Sequence, residues 1–278
     1  MRDWHRRVLV DTLKAAIPGK QLIRQALHGV RPYQTDPGKD EDLFRNATRQ
    51  IELLREAGVD VRGKRILEIG TGWHPITAMV FLAAGANFVT MTDVERRLDY
   101  SLIESAAAFV RKRGGELPAF VHHALNYLYP YRTALSLDGS ADIIVSCSVL
   151  EHIPAVTLEW MMADFRRILA PGGAMVHFID PSDHYAQSDR SISRCNFLQY
   201  EDWQWRLMSL NGQNYHNRLR HSDYTAMLAR NGFRIAYEAR LLRETERKAV
   251  SAMKLASRFA GRDIDDLATV YSYFVTTA

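Results

Sequence analysis

Apolar residues recur in short runs through the middle of the chain, and segments with helical spacing separate most of these runs. Short runs rich in β-branched residues are typical of buried strands. The sequence predicts strands at 65–69, 88–92, 119–122, 142–146 and 175–179, with helices at 76–84, 100–113 and 156–169. Strands that alternate with helices predict a largely parallel sheet with helices on both faces.

The two ends of the chain follow different patterns. Residues 1 to about 30 place basic positions beside an apolar helical face that Pro18-Gly19 interrupts, and a turn-rich linker over 32–40 precedes a helix over 43–57. The N-terminal face fits a helical cap packed over the ligand cleft at the sheet edge or, less well, a basic amphipathic anchor for a membrane surface. A helix at 223–229 and strands at 233–241 and 270–276 close the chain.

The stretch between 181 and 220 has little periodicity and is rich in Ser, Asp, amide and aromatic side chains. A long aperiodic segment inside a compact domain is usually functional or disordered, and the aromatic content argues against disorder. We therefore expect an insertion after the fifth strand.

The turn after the first predicted strand carries the most informative chemistry. Gly70 and Gly72 allow backbone angles and a close ligand approach that a Cβ atom prevents. Asp93 ends the second predicted strand, where an acid can accept both hydroxyls of a ribose. No third glycine follows before Gly85, and Glu68 repels a pyrophosphate, so the turn suits an adenosine cofactor with positive sulfonium and ammonium groups.

Four segments occur in the order and at the separations found in one enzyme family. They are Glu68-Ile69-Gly70-Thr71-Gly72, Asp93, Val149-Leu150-Glu151-His152-Ile153 and Leu169-Ala170-Pro171-Gly172-Gly173. In these motifs the chain resembles the class I S-adenosylmethionine-dependent methyltransferases, over roughly residues 60–180 and more weakly toward the C-terminus. The resemblance implies an α/β fold with a doubly wound, mostly parallel seven-stranded sheet, and S-adenosylmethionine as the cofactor. Trp73 stands where the family often has a third small residue. The sequence therefore leaves open how the protein binds the methionine part of the cofactor.

The resemblance also implies roles for individual residues and regions. Glu68 is expected near the ammonium through water, Asp93 on the ribose hydroxyls and Ser146 under the sulfonium. The chain divides into an N-terminal helical cap (1–60), the cofactor-binding core (61–180), a substrate-side lid (181–221) and the end of the core sheet (222–278). The full expected cofactor-binding set is Glu68, Gly70, Thr71, Gly72, Trp73, Asp93, Val94 and Ser146.

Methyl transfer to a hydroxyl needs a base, and histidine titrates near neutral pH. His184 follows the fifth strand and is the preferred catalytic base, with Asp183 or Asp180 as the acid that orients its ring. His152 is the second candidate for the base, and His74 is the least favoured.

The same edge of the sheet raises the question of a metal. Related small-RNA 2′-O-methyltransferases use a metal and carry an additional Glu three residues before the Glu-His pair, where this chain has Ser148. The acids and histidines here lack tight ligand spacing, so no metal is expected. Glu151 and His152 are then more simply read as residues that shape the pocket.

The predicted lid supplies aromatic, amide and guanidinium groups that suit a sugar ring or a flat polar molecule. At least half of its aromatic side chains are expected to pack against the sheet instead. Its two arginines either hold a phosphate or carboxylate or form a solvated face. The acceptor is expected to be an oxygen of a small molecule or of a glycan or glycolipid precursor, which is also the kind of substrate used by similar bacterial methyltransferases. The lid candidates are Tyr200, Trp203, Trp205, Asn214, Tyr215, Asn217, Arg218 and Arg220.

The amino-acid composition limits the kinds of protein that this chain can be. With 278 residues, 47% of them apolar, the chain can bury a sizeable core. The net charge is only +4 and like charges form no run of five, so no nucleic-acid partner is expected. Two cysteines form no disulfide framework, and the sequence has no signal peptide and no stretch that could span a bilayer, so we expect a cytoplasmic protein with at most weak membrane contact.

The sequence leaves two other functions open. One is an NAD(P)-type oxidoreductase on the same kind of sheet, and the other is a non-catalytic cofactor-binding scaffold, because fold alone does not fix function. The sequence leaves the oligomeric state open.

Overall fold

The computed structural model of the protein describes residues 4, 6, 8, 36–210 and 215–278. In this part of the chain, seven strands form one sheet. They are β1 (Arg65–Ile69), β2 (Phe88–Thr92), β3 (Leu125–Leu128), β4 (Ala141–Cys147), β5 (Leu169–Ile179), β6 (Arg234–Leu242) and β7 (Thr269–Thr277). Their order across the sheet is β3-β2-β1-β4-β5-β7-β6.

Strands β1 to β5 pair in parallel, and β7 inserts antiparallel between β5 and β6. Ile69, the last residue of β1, lies opposite Thr92 on β2 and Ser146 on β4. The carboxyl ends of these central strands therefore meet at one edge. In open sheets of this kind ligands bind outside that edge. The prediction of a mostly parallel, doubly wound seven-stranded sheet is confirmed.

Helices cover both faces of the sheet because neighbouring residues of each strand point to opposite sides. The described helices are α1 (Pro37–Glu56), α2 (Ile76–Ala83), α3 (Tyr100–Lys112), α4 (Ala155–Ile168), α5 (Asp202–Met208), α6 (His221–Arg230), α7 (Glu244–Ala252) and α8 (Ile264–Leu267). Ile66 packs in the apolar cluster formed with α1 to α3, whereas Leu67 packs in the cluster formed with α4 and α6.

Helix α1 begins earlier than the sequence predicted. The carboxylate of Asp36 caps the helix by accepting from the backbone N–H groups of Gly38 and Lys39, and Pro37 occupies the first turn. Proline suits that turn because its missing N–H has no partner there in any case. The residues taken for the end of a linker are therefore the start of α1.

The third strand was predicted in the wrong place. Residues Val121–Ala124, which overlap the predicted strand at 119–122, form a 3₁₀ turn, and β3 follows it. His122 stacks on Tyr100 and its Nε2 lies 2.6 Å from a carboxylate oxygen of Glu104, so α3 holds this segment as a turn. Strand β3 alternates between half-buried and exposed residues at the sheet edge, and so lacks the apolar run that marks a buried strand.

The aperiodic stretch after β5 folds into short elements around a third apolar cluster. It contains 3₁₀ turns at His184–Gln187 and Asn196–Gln199, followed by α5. Phe197 and Trp205 belong to this cluster, and so does Trp4 from the N-terminal region. The predicted N-terminal helical segment, residues 1 to about 30, lies outside the described residues except for residues 4, 6 and 8. Among the helices that the structure describes, none has the length and apolar character needed to cross a bilayer.

Candidate active site

The two glycines after β1 have different surroundings. Both have positive φ, +73° at Gly70 and +69° at Gly72. A Cβ added to Gly70 would lie 2.6 Å from a methyl carbon of Val149, in the loop that leaves β4, whereas a Cβ on Gly72 would meet nothing within 4 Å. Gly70 therefore allows tight packing between β1 and β4, and Gly72 borders open space where a ligand can approach the backbone.

Asp93 lies beside this turn, as the sequence predicted. Its side chain is 7% exposed, and Oδ2 accepts from the backbone N–H of Gly72 at 3.1 Å. Oδ1 accepts from Glu95 N at 3.3 Å and from Arg97 Nε at 3.1 Å. Because a carboxylate offers about four acceptor positions, Oδ2 keeps one for a further donor such as a ribose hydroxyl. A second hydroxyl on Oδ1 would have to displace Arg97.

Arg97 is a residue of this site that the sequence reasoning missed. Its guanidinium pairs with Asp93 and also lies 5.8 Å from the ring centre of Trp73, so it joins two predicted cofactor residues. Residues 93–99 form no helix, so the spacing of Arg97 from Asp93 carried no signal for this pair. Val94, the other predicted neighbour, is 69% exposed at the mouth of the site.

Glu68 is a buried acid, only 3% exposed. Its Oε2 accepts from the hydroxyl of Thr71 at 2.8 Å. Burial raises the pKa of Glu68 to about 7, and this effect outweighs the hydrogen bonds from Thr71 and Thr77, which lower it. A cation placed near Glu68 would favour the charged form again. The site therefore suits a ligand that brings a positive ammonium group.

Two other predicted residues face inward. The hydroxyl of Ser146 lies 2.8 Å from Nδ1 of His177, and both residues are buried, so the group expected under the sulfonium is engaged inside the protein. His74, the least favoured base, has its Nδ1 2.5 Å from Oδ1 of Asp40, and this buried pair fixes α1 to the glycine turn. That contact leaves His74 poorly placed to act on a substrate.

Three histidines meet at the neighbouring part of the edge, and we call them the histidine cluster: His152, His184 and His216. Ring centres are 4.0 Å apart for His184 and His216, 4.6 Å for His152 and His216, and 5.1 Å for His152 and His184. The sequence predicted the first two as base candidates and missed His216. Val149, which packs on Gly70, lies in the same loop as His152. This loop therefore connects the histidine cluster to the glycine turn.

Burial keeps two of these rings neutral. It lowers the pKa of His152 to about 4, with the neighbouring His184 adding to the effect. It also lowers the pKa of His216 well below the usual range, with His184 and His152 adding to the effect. Nδ1 of His152 lies 2.9 Å from the carbonyl oxygen of Tyr215. Because a carbonyl can only accept, this nitrogen carries the hydrogen and Nε2 keeps its lone pair.

The acids around the cluster divide into two groups. Asp180 lies next to it, with Oδ2 3.6 Å from Nε2 of His184. Asp183 instead accepts from the backbone N–H of Tyr185 and from the amide of Asn196, so it caps a turn. The orienting position beside His184 therefore belongs to Asp180, and the prediction of Asp183 as a catalytic acid has no supporting contact. Burial raises the pKa of Glu151 well above its usual range, and Asp180 adds to the effect.

The lid arginines are structural, which corrects the prediction that they bind an anion or form a solvated face. Arg218 donates to the carbonyl oxygens of Phe197 and Tyr200, and Arg220 donates to those of Pro181 and Thr269. Both side chains are buried. They therefore hold the lid segment together.

Some of the remaining lid candidates are buried or hydrogen-bonded within the protein, and others are not. Trp205 is buried and donates to the carbonyl oxygen of His216. Asn217 donates to the carbonyl oxygens of Leu150 and Ile153, so it ties the lid to the loop after β4. Trp203 is exposed. Asn214 lies outside the described residues.

The sheet order, the glycine turn and the acid after β2 together define a nucleotide-cofactor enzyme of the class I methyltransferase type. A family model described as a methyltransferase domain matches residues 40–238. The chain belongs to this family of methyltransferases. The oxidoreductase alternative is not favoured by these comparisons.

Individual relatives agree with this assignment. A ribosomal protein L11 methyltransferase from Sorangium cellulosum is 27% identical over 150 residues, which cover 53% of this chain and 42% of that protein. The chain therefore matches less than half of that relative's length. Solved structures with a similar fold include an S-adenosylmethionine-dependent methyltransferase from Mesorhizobium loti, with a TM-score of 0.51 and 18% identity over 82% of this chain and 96% of that one.

A second similar structure is phosphoethanolamine N-methyltransferase 2 from Haemonchus contortus in complex with S-adenosylmethionine. Its TM-score is 0.51, with 14% identity over 83% of this chain and 52% of that chain. The sequence predicts the same cofactor for the present protein. The residues of the cleft fit it, because Gly72 borders open space, Oδ2 of Asp93 keeps an acceptor position and Glu68 is poised to take a cation.

Proposed function

We propose that this methyltransferase transfers the methyl group to an oxygen atom of a small molecule or of a glycan or glycolipid precursor. The observation that carries the proposal is the histidine cluster at the carboxyl edge of the sheet, beside the loop that packs on Gly70. A hydroxyl is a weak nucleophile until it loses its proton, so a group of imidazoles next to the cofactor cleft suits this acceptor.

The cofactor side of the proposal rests on three residues. Asp93 accepts from the ribose, Gly72 lets the ligand approach the backbone, and Glu68 balances the ammonium. When bound, S-adenosylmethionine supplies an electrophilic methyl group, whose bond to sulfur breaks as the acceptor oxygen bonds to carbon, with the electron pair passing to sulfur and the hydroxyl proton leaving the acceptor. The protein orients the acceptor for this in-line displacement.

Within the histidine cluster, His184 is the proposed proton acceptor and His152 the alternative. Nε2 of His184 makes no hydrogen bond within the described residues, and Oδ2 of Asp180 lies 3.6 Å from it. A carboxylate in that position stabilises the imidazolium that forms when the ring takes a proton. His152 has one nitrogen engaged by Tyr215 and so offers only the other.

We also propose that the protein acts in the cytoplasm. Both of its cysteines, Cys147 and Cys195, are free thiols, which supports a reducing compartment.

The experiment that tests the proposed function is incubation of the purified protein with methyl-labelled S-adenosylmethionine and fractionated extract. Nuclear magnetic resonance of the labelled product then identifies the atom that carries the methyl group. The proposal predicts an O-methyl product. A His184→Gln variant should lose about 10²-fold or more in turnover while its cofactor affinity stays unchanged.

The matched control is His123→Gln, because His123 is an exposed histidine outside the cluster. It should retain full turnover. Label on nitrogen, sulfur or carbon would contradict the oxygen acceptor. Full turnover by His184→Gln would remove that residue from the reaction.

A further inference from the structure

The histidine cluster brings together side chains from three separate parts of the chain. His152 follows β4, His184 follows β5, and His216 precedes α6. One ring nitrogen from each lies within 4.8 Å of the other two. Three imidazoles that converge in this way form a recognisable ligand set for a cation.

His216 is the member that most needs a ligand. It is 2% exposed, and neither of its ring nitrogens has a hydrogen-bond partner among the residues that the structure describes. Buried polar groups in proteins are almost always paired, so an orphan ring demands an explanation. Nε2 of His184 is also buried and makes no hydrogen bond to the described part of the chain. The cluster therefore contains lone pairs that the described protein atoms do not use.

Hydrogen bonds within the protein orient the ring of His152 and hold the backbone that carries His216. Nδ1 of His152 donates to the carbonyl oxygen of Tyr215, and a histidine that binds a metal typically donates its other nitrogen to a carbonyl or carboxylate in this way. The carbonyl of His216 accepts from Trp205, and the next residue, Asn217, is bonded to Leu150 and Ile153. These contacts hold His216 against the loop that carries His152.

We infer that His152, His184 and His216 together bind a divalent transition-metal ion, with Zn²⁺ as the preferred ion. Three imidazoles with a fourth position left open are typical of catalytic zinc sites. Neutral imidazole nitrogens also suit Ni²⁺ and Co²⁺, whereas Mg²⁺ prefers oxygen ligands. Metal–nitrogen bonds of about 2.1 Å in a tetrahedral arrangement place ligand nitrogens about 3.4 Å apart. The nitrogen separations, which are within 4.8 Å here, must therefore shorten by at most about 1.4 Å on binding.

The catalytic role of this ion rests on the proposed function. With its fourth position facing the cleft, the cation lowers the pKa of the acceptor hydroxyl, whose proton then passes to water. This role and the role of His184 as the base are alternatives, because a ring nitrogen that binds the ion cannot also take the proton. Asp180 contributes a negative charge close to the site in either case. Binding itself does not depend on which acceptor is methylated.

The test uses the full chain, stripped of metal by dialysis against a chelator. Cobalt is added first, because tetrahedral Co²⁺ gives a visible absorption spectrum, and Zn²⁺ affinity is then measured by competition with a chromophoric chelator. We expect ~1 equivalent of Co²⁺ with the intense absorption of a tetrahedral site, displacement of Co²⁺ by Zn²⁺, and no displacement by Mg²⁺.

Variants assign the site to the cluster. His152→Gln, His184→Gln and His216→Gln should each weaken Zn²⁺ binding at least ~10-fold, and His123→Gln should leave it unchanged. Since His216 is buried, circular dichroism checks that its variant folds, and the two half-buried histidines keep the test valid if it does not. A wild-type protein that binds no more Zn²⁺ than the three cluster variants, or an octahedral Co²⁺ spectrum, overturns the inference.

The outcome for the metal is separate from the outcome for the proposed function. An O-methyl product from metal-free protein would uphold the oxygen acceptor and leave His184 as the base, which contradicts the catalytic role of the ion. Zn²⁺ binding to the cluster together with an N-methyl product would uphold the site and contradict the acceptor.

Discussion

Single residues determine whether the cleft can admit the cofactor. Gly70 and Gly72 have the same backbone conformation, yet only Gly70 is packed against another side chain. The first therefore serves the fold, and we propose that the second serves the ligand. This distinction can be measured because the same substitution at the two positions should change different properties.

Gly70→Ala should destabilise the protein more than Gly72→Ala. Both place a side chain at positive φ, at a cost of about 1–2 kcal/mol, and only the first adds a clash with Val149, worth about 1–3 kcal/mol more. Chemical denaturation measures the free energies of unfolding. The double variant Gly70→Ala/Val149→Ala should lose less than the sum of the single variants, and strict additivity would show that the clash is not the cause.

Glu68 predicts a pH dependence of stability in the cofactor-free protein. The folded protein holds this proton up to pH about 7, whereas the unfolded chain releases it near the ordinary value of 4.5. The stabilisation is therefore complete below pH 4.5 and is lost as the pH rises to 7, by about 3 kcal/mol. Glu68→Gln removes this titration, so its advantage over the wild type in free energy of unfolding should grow over that range.

The same group should make cofactor affinity depend on pH. A bound ammonium favours ionised Glu68, so S-adenosylmethionine should bind more tightly at pH 8 than at pH 6, with proton release at the lower pH. Calorimetry in two buffers measures both effects. In Glu68→Gln they should vanish, and an equal pH dependence in the two proteins would place the titrating group elsewhere.

The sequence identified the residues that lie around the glycine turn better than the residues that form the histidine cluster. Glu68, Gly70, Gly72 and Asp93 could be found because each stands next to a strand end in a recognisable motif. His216 could not, because it has no motif and meets the other two histidines only through the folding of the lid segment.

Among the elements, α1 has a larger part in the site than its sequence suggested. Its residue Asp40 bonds His74 in the glycine turn, and its residue Gln50 donates to the carbonyl oxygen of Ser146 at the end of β4. The helix thus bridges two strand ends at the cofactor edge. The sequence predicted a helix here from its spacing, but not these two polar contacts, which depend on tertiary packing.

Breaking the contact between α1 and the glycine turn should weaken the fold and the site together. Asp40→Ala removes the buried hydrogen-bond partner of Nδ1 of His74 and should cost about 1–3 kcal/mol in free energy of unfolding. In a double-mutant cycle with His74→Ala, the interaction energy should be about 1–3 kcal/mol. Asp42→Ala, at an exposed position of the same helix, should change stability by less than about 0.5 kcal/mol.

Strand periodicity predicted the buried elements and failed at the sheet edge. Strands β1 and β2 begin and end at the predicted residues. Strand β3 was missed because an edge strand need not carry a continuous apolar run, while the apolar residues just before it belong to a turn that α3 holds in place.

At the scale of the whole molecule, the sheet order gathers residues that are far apart in sequence at one edge. The parallel order β2-β1-β4-β5 places the glycine turn, Asp93, the loop after β4 and Asp180 along that edge. The alternation of strands and helices was enough to predict this arrangement. The structural role of Arg218 and Arg220 was not predictable, because surface and buried arginines look alike in sequence. Only the folded lid shows which carbonyl oxygens accept their hydrogen bonds.

The central claim is that the edge formed by Gly72 and Asp93 binds S-adenosylmethionine, and calorimetric titration of this cofactor tests it most directly. Asp93→Asn removes the charge from the acceptor of the ribose hydroxyl and should weaken binding at least ~10-fold. Asp60→Asn, at an exposed carboxylate that pairs with Arg62, is the control and should bind like the wild type. Equal affinity of the Asp93→Asn variant and the wild type would contradict the claim.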